Sequence, residues 1–193
     1  MKAFLFLYPV NEYFEICLQQ CQRDFTKNHY NHERINDIID ARYRKKGYAI
    51  HWLLFSAAGD SKKPDLSMIS NCIKTGEKDI FLTAGVSFEE HTKGKKYPDP
   101  AFVLAQIPNL TELVLGGFHQ WDCVDRLAEY AHQNNMPTFV DEDTTELFFV
   151  RTSLCGTIPL FRKTLTLESL GINKRMMKFA KEVRKNKPWF IQA

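Results

Sequence analysis

The sequence lacks a Cys-x-x-Cys pair and a long hydrophobic run, and it has few glycines and prolines, 9 and 8 in 193 residues. Each absence removes a class of protein. The five cysteines, Cys17, Cys21, Cys72, Cys123 and Cys155, are odd in number and widely spread. That pattern excludes a disulfide framework and a structural zinc site of the usual spacing, and reads as free, mostly buried thiols of a reducing cytoplasm. The longest apolar runs, such as Phe4 to Tyr8 and Trp52 to Phe55, fall far short of the roughly 20 residues that span a bilayer. The start carries a lone Lys2, a short apolar stretch and no Ala-x-Ala cleavage site, so it reads as a first strand rather than a signal peptide. No Gly-x-Gly-x-x-Gly, Walker or Gly-x-Ser-x-Gly motif occurs, which leaves nucleotide binding and serine hydrolysis by those routes without support.

What is present is an ordinary core composition, 44% hydrophobic and 25% charged, which suits one domain with at most an appendage. The net charge of +3 is uneven. Nine basic residues between Arg162 and Lys187 stand against Glu168 and Glu182, a local balance of +7 that leaves the remainder at −4. The basic charge is thus local, and a nucleic-acid partner is not expected.

Periodicity gives strands separated by helices. Ala3 to Tyr8 is a continuous apolar run, the mark of a strand buried on both faces. Helical spacing runs through Phe14, Cys17, Leu18, Cys21 and Phe25, and again through Ile35, Ile38, Ile39 and Tyr43, ending at Gly47 as a C-cap. Tyr48 to Phe55 and Ile80 to Ala84 read as strands, with a short helix between them at Asp65 to Lys74. Glu89 to Pro100 reads as a polar, Lys-rich loop. Ala101 to Ile107 is a short helix and Leu113 to Leu115 a strand. Cys123 to Asn134 is a helix with Val124, Leu127, Ala128 and Ala131 inward, and Thr138 to Val140 is a strand. This alternation predicts an α/β fold, a three-layer sandwich with a mostly parallel central sheet. Residues 1–161 form the domain and 162–193 a basic C-terminal helical extension. Ligands in such sheets sit at the carboxyl ends of the strands.

The most informative stretch is Gly116-Gly117-Phe118-His119-Gln120-Trp121-Asp122-Cys123-Val124. A strand meets two glycines, turns, and a Cys opens the next helix. The helix start supplies free N–H groups and partial positive charge, which favour a thiolate and can hold an oxyanion. The other reading is a small buried residue in the first turn of a helix.

In its order of motifs the chain resembles the isochorismatase-like cysteine hydrolases, which include nicotinamidases and N-carbamoyl amidases. Their mark is a strand, a Gly-Val-Ala-Thr-Asp-x-Cys-Val turn, an Ala-rich helix and a strand ending in an acidic pair. Gly117, Cys123 and Val124 match in register, followed by Ala128, Ala131 and Glu142-Asp143. Leu7-Tyr8-Pro9-Val10-Asn11-Glu12-Tyr13-Phe14 is similar to the family's first signature, and Asp79 to Ala84 to the strand that ends in its Lys. The resemblance spans about residues 3 to 148. It implies an isochorismatase-like fold, a Cys123 nucleophile in a strand-end pocket beside Tyr8, Ala84, Phe118 and Trp121, a cis peptide near Phe118-His119, and a homodimer. The family's Asp position, however, is Tyr8 and its Lys position is Ala84. A neutral phenol is a poor proton acceptor near neutral pH, and Ala offers nothing. His119 and Glu12 are the candidate replacement bases, and Lys93, Lys95 and Lys96 the nearby cations.

The resemblance implies one of two functions. One is a divergent hydrolase acting on a small amide, imide or vinyl ether through Cys123. The other is a catalytically inactive homologue that keeps the fold for small-ligand or protein binding. No cofactor and no metal are expected: the family's Asp-x-His metal pair has no counterpart in Phe55 to Asp60, and His29 with His32 lack a partner. Asp141, Glu142 and Asp143 read as solvated or capping charges. Ile172, Met176, Phe179 and Val183 make one face of a basic amphipathic helix, with Trp189 and Phe190 beyond it to pack on this chain or another copy.

Overall fold

The computed structural model describes residues 1–20, 32–119, 122–145 and 185–190. In chain order the elements are β1 (Lys2–Leu7), α1 (Asn11–Gln20), α2 (His32–Ile38), β2 (Ala49–Leu54), the hairpin β3 (Ser56–Ala57) and β4 (Asp60–Pro64), β5 (Ile80–Thr83), α3 (Phe88–Thr92), α4 (Pro100–Ala105), β6 (Glu112–Gly117), α5 (Cys123–Gln133) and β7 (Thr138–Thr145). Five strands form one sheet in the order β5-β2-β1-β6-β7, every neighbouring pair parallel. Ala3, Phe4, Leu5 and Phe6 are wholly shielded from solvent, because β1 is central and its strand neighbours and the covering helices leave neither face to water. The architecture is the expected α/β sandwich. Among the described residues no helix is long and apolar enough to cross a membrane.

Helices cover the sheet with the stripes their spacing predicts. Val124, Leu127, Ala128 and Ala131 of α5 are buried, as are Ile35, Ile39 and Tyr43, and the Tyr43 ring stacks on Phe4 with centroids 4.1 Å apart. The helix entering Gly47 is not continuous: α2 gives way to a π turn at Ile39–Tyr43 and a 3-10 turn at Arg44–Lys46. Gly47 then takes the left-handed conformation of a C-cap at φ 79°.

Four local expectations need correction. The segment Glu89 to Pro100 is not all loop, since Ser87 and Glu90 form a reciprocal capping box that starts α3. The end of that supposed loop starts a helix instead: Asp99 caps α4 and Pro100 occupies its first turn. Asp65 to Lys74 holds only one 3-10 turn, Leu66–Met68, because Asp65 Oδ1 takes both the Ser67 amide and its hydroxyl. The strand after α5 runs on to Thr145 and carries Asp141 and Asp143 within it. Those acids are not solvated: Arg42 donates to Asp141 at 2.8 Å and to Asp143 at 2.9 Å, and Tyr43 Oη donates to Asp141. The two acids therefore tie the end of the α2 region to β7.

The chain's last described residues pack on this same domain. Lys187 Nζ and Trp189 Nε1 both donate to the Asp125 carboxylate of α5, and the Val140 amide donates to the Trp189 carbonyl at 2.7 Å. Trp189 and Phe190 are buried. Replacing Trp189 with Ala is expected to cost about 3 kcal/mol in urea unfolding, since a buried indole is lost and the Asp125 carboxylate with it loses a donor. An unchanged midpoint would show the contact to be incidental. The basic amphipathic helix itself, and with it most of the 162–193 extension, lies outside the described residues.

Candidate active site

The strand order reverses between β1 and β6: from β1 the chain builds outward through β2 and β5, then crosses to β6 and β7. Such a switch point is where the strands' carboxyl ends open a crevice. The register sets Leu7 opposite both Leu53 and Gly117, so the segments leaving these three strand ends wall the crevice. Close approach is possible because Gly117 has no side chain: a Cβ there would lie 2.2 Å from the Leu7 carbonyl oxygen, and its φ is +103°. The Phe118 amide then donates to Leu7 O at 3.1 Å, the Tyr8 amide to Leu53 O at 2.8 Å and the Ala84 amide to Leu54 O at 2.7 Å. Tyr8 is itself left-handed at φ 57°, a conformation costing of order 1–3 kcal/mol that tends to persist at functional sites. The Phe118–His119 peptide is cis.

Cys123 is the first residue of α5 and is buried. Its Sγ faces Nε2 of His91 at 3.8 Å. His91 comes from α3, and its other nitrogen, Nδ1, lies 2.9 Å from the Lys96 carbonyl oxygen. A carbonyl can only accept, so Nδ1 carries a proton, and the tautomer this bond selects is the one whose Nε2 lone pair faces the thiol. The imidazole is held among aromatic rings, 5.8 Å from Tyr8, 5.4 Å from Phe55 and 5.4 Å from Tyr97. Tyr8 in turn stacks flat on Phe55 at 4.3 Å. The space above the thiol is lined by Tyr8, Leu53, Tyr97, Pro98 and Arg126 among others and measures about 20 Å³, room for a water molecule. Arg126 lies over the Tyr97 ring at 3.9 Å, so this side of the site is closed by a stacked pair.

Electrostatics correct one expectation. The helix start favours a thiolate, but burial, and then the Asp122 charge, push the Cys123 thiol up to about 12, outweighing the opposing pull of Tyr8 and Arg126. The helix terminus acts through about one turn of partial charge, and it does not offset loss of water around the sulfur. Cys123 at rest is a neutral thiol. Burial also drives the Tyr8 phenol well above its ordinary value. Its hydroxyl lies against Cys123 yet makes no hydrogen bond of ordinary geometry. A buried, unpartnered hydroxyl costs stability. Tyr8→Phe is accordingly expected to raise stability by about 1 kcal/mol in denaturant titration; a loss instead would show that the hydroxyl has a partner after all.

The structure also places the other residues that the sequence singles out. His119 rests on Tyr13 and Phe118, ring centroids 5.3 and 5.5 Å away, and its carbonyl accepts the Asp122 and Val124 amides. Those two helix-start donors are therefore committed and not available to an oxyanion. Glu12 lies half-buried in the first turn of α1, with Oε2 shielded and lacking a hydrogen-bond partner. Ala84 and Phe118 are buried at the strand ends and are not among the residues lining the cavity. Lys93 and Lys96 pair with Glu89 at 2.8 Å and Glu90 at 2.9 Å on the exposed side of α3. Trp121, Cys21 and His29 lie outside the described residues. His91 is the site residue that the sequence reading passes over. The Ser87-x-x-Glu90 box is the available signal, because it turns the supposed loop into a helix with His91 next to its cap.

Comparison with protein-family models and with curated proteins finds no match. Solved structures do match. An isochorismatase family protein is similar at a TM-score of 0.51 and 14% identity, over 98% of this chain and 95% of that one. The pyrazinamidase of Pyrococcus horikoshii, in complex with zinc, gives 0.50 and 10%, over 100% and 99%. N-carbamoylsarcosine amidase from Thermoplasma acidophilum gives 0.49 and 17%, over 80% and 92%. At such identities the likeness is one of fold, and the fold is isochorismatase-like.

Proposed function

We propose that the protein is a hydrolase of a small amide, imide or vinyl ether, acting through Cys123 with His91 as its base. The observation that carries this reading is the facing pair itself: Sγ lies 3.8 Å from an Nε2 whose lone pair is fixed by the bond from Nδ1 to Lys96. Tyr8 and Ala84 occupy the positions where the resembling family has its Asp and Lys, so a base must come from elsewhere, and α3 supplies one.

For an amide, the thiol proton passes to Nε2 as sulfur bonds to the carbonyl carbon. The imidazolium returns that proton to the departing amine as the C–N bond breaks, leaving a thioester on Cys123. Water, deprotonated by the same Nε2, then attacks the thioester, and the thiol is restored with release of the acid. A neutral thiol is the right resting state for this order, because transfer and attack are coupled. Substrate entry requires the Tyr97–Pro100 side of the cavity to move, given the 20 Å³ present.

That small space is also the observation favouring the other reading, an inactive homologue that keeps the fold for binding. A panel of small amides, imides and vinyl ethers, run with the wild type and Cys123→Ala, separates the two. Turnover lost in the variant supports the hydrolase; absence of turnover across the panel, with the protein folded, supports the binding homologue.

A further inference from the structure

The pair that serves the proposed hydrolase has a third member that the reaction leaves unused. One Asp122 carboxylate oxygen, a His91 ring nitrogen and Cys123 Sγ all lie within 4.8 Å of one another. They come from two separate segments, α3 and the start of α5, so adjacency in sequence explains only the Asp122–Cys123 part. We propose that His91, Asp122 and Cys123 form a three-ligand site for a zinc-class divalent cation whose occupancy silences the Cys123 nucleophile. The proposal rests on the hydrolase reading for its regulatory half only; its binding half stands on the cluster and its surroundings.

The donor set selects the ion. Thiolate and imidazole suit zinc and its neighbours, while magnesium and calcium ask for oxygen shells. Zinc sits about 2.0–2.3 Å from N, O and S ligands, so small side-chain rotations bring the three donors inward around it. Two anionic ligands and a neutral imidazole balance the whole of a divalent charge. The outer partners of a metal site are also in place. His91 Nδ1 is held by the Lys96 carbonyl at 2.9 Å, the bond that fixes a ligating imidazole. Asp122 is held by Arg126 Nε at 3.4 Å.

An independent observation points to a ligand at this place. The Tyr8 hydroxyl is fully buried against Cys123 and makes no hydrogen bond of ordinary geometry there. Three protein donors leave zinc a fourth position, usually taken by water. The 20 Å³ lined by Tyr8 and Cys123 has room for one water, and a water bound there would give the Tyr8 hydroxyl a well-formed hydrogen bond. Binding replaces S–H by S–metal, with the thiol proton released to solvent. The sulfur's electron pair is then engaged, and attack on a substrate stops.

Cobalt(II) is the probe, added to the full chain after chelator treatment and desalting. The expected result is one equivalent bound, with a thiolate-to-cobalt charge-transfer absorption in the near ultraviolet. Cys123→Ser should abolish that band and Cys72→Ser, at an exposed thiol, should leave it. His91→Gln and Asp122→Asn should each weaken binding, by at least the roughly 10–100-fold that loss of an outer partner alone costs, with circular dichroism confirming the fold. No charge-transfer band, or a band that survives Cys123→Ser, overturns the site. Turnover in chelator with and without added zinc keeps the two readings apart. Cys123-dependent turnover with no metal band removes the metal site alone, whereas a metal band with no turnover in chelator removes the hydrolase and with it the silencing.

Discussion

His91→Gln is expected to lower turnover about 10²–10⁴-fold, the range for loss of a positioned base. Gln keeps a polar side chain of similar reach, so the aromatic cage of Tyr8, Phe55 and Tyr97 loses little packing and stability changes little. What disappears is a group able to hold the thiol's proton during attack. The effect should fall on kcat, with KM nearly unchanged, because the imidazole acts on Cys123 and its contribution is realised in the transition state. A neutral, buried thiol makes the dependence steep. With its proton held up to about 12 by burial, Cys123 has a negligible thiolate fraction of its own at neutral pH. Near-normal kcat in His91→Gln would mean that the proton leaves by another route, with Glu12 or His119 the next residues to test.

Gly117→Ala is expected to have the largest effect on stability, about 4 kcal/mol or more. The added Cβ would lie 2.2 Å from Leu7 O and 2.6 Å from Leu7 N, backbone atoms of the central strand that cannot swing aside, and φ of +103° is one an L side chain rarely adopts. Typical domains have only about 5–15 kcal/mol in total. The strand ends that carry Tyr8 and Phe118 would part, so the site is lost with the fold. Gly47→Ala is the control: it too is left-handed, at φ +79°, but nothing lies within 4 Å of the added atom. Its cost should be limited to backbone strain, about 1–2 kcal/mol. Chemical denaturation of both variants checks the contrast, and equal costs would show that proximity to Leu7 is not the cause.

Much of this arrangement is legible in the residues. The continuous apolar run of β1, the alternation of strands and helices, and the inward stripe of α5 give a parallel sheet without further help. Gly116-Gly117 and the downstream Cys mark the crevice, since only glycine permits that approach to Leu7. Three things stay hidden, each for a physical reason. His91 stands 32 residues before Cys123, and nothing in its neighbourhood says which strand end α3 will overhang. The state of the thiol depends on how much water the tertiary packing removes, which the partial charge of a helix start does not reveal. The role of Asp141 and Asp143 depends on Arg42, about a hundred residues earlier, and a run of acids by itself looks solvated.

Mass mapping of a covalent intermediate decides whether Cys123 is the nucleophile. The wild-type chain, stripped of metal, is mixed with an activated small amide or ester, quenched in acid within seconds, digested and examined for acylated peptides. A single thioester is expected, on Cys123 in the peptide that begins α5, with none on exposed Cys72. His91→Gln should greatly slow its formation. Acylation of Cys72 in preference to Cys123, or label on Cys123 that forms at the same rate without His91, would contradict it.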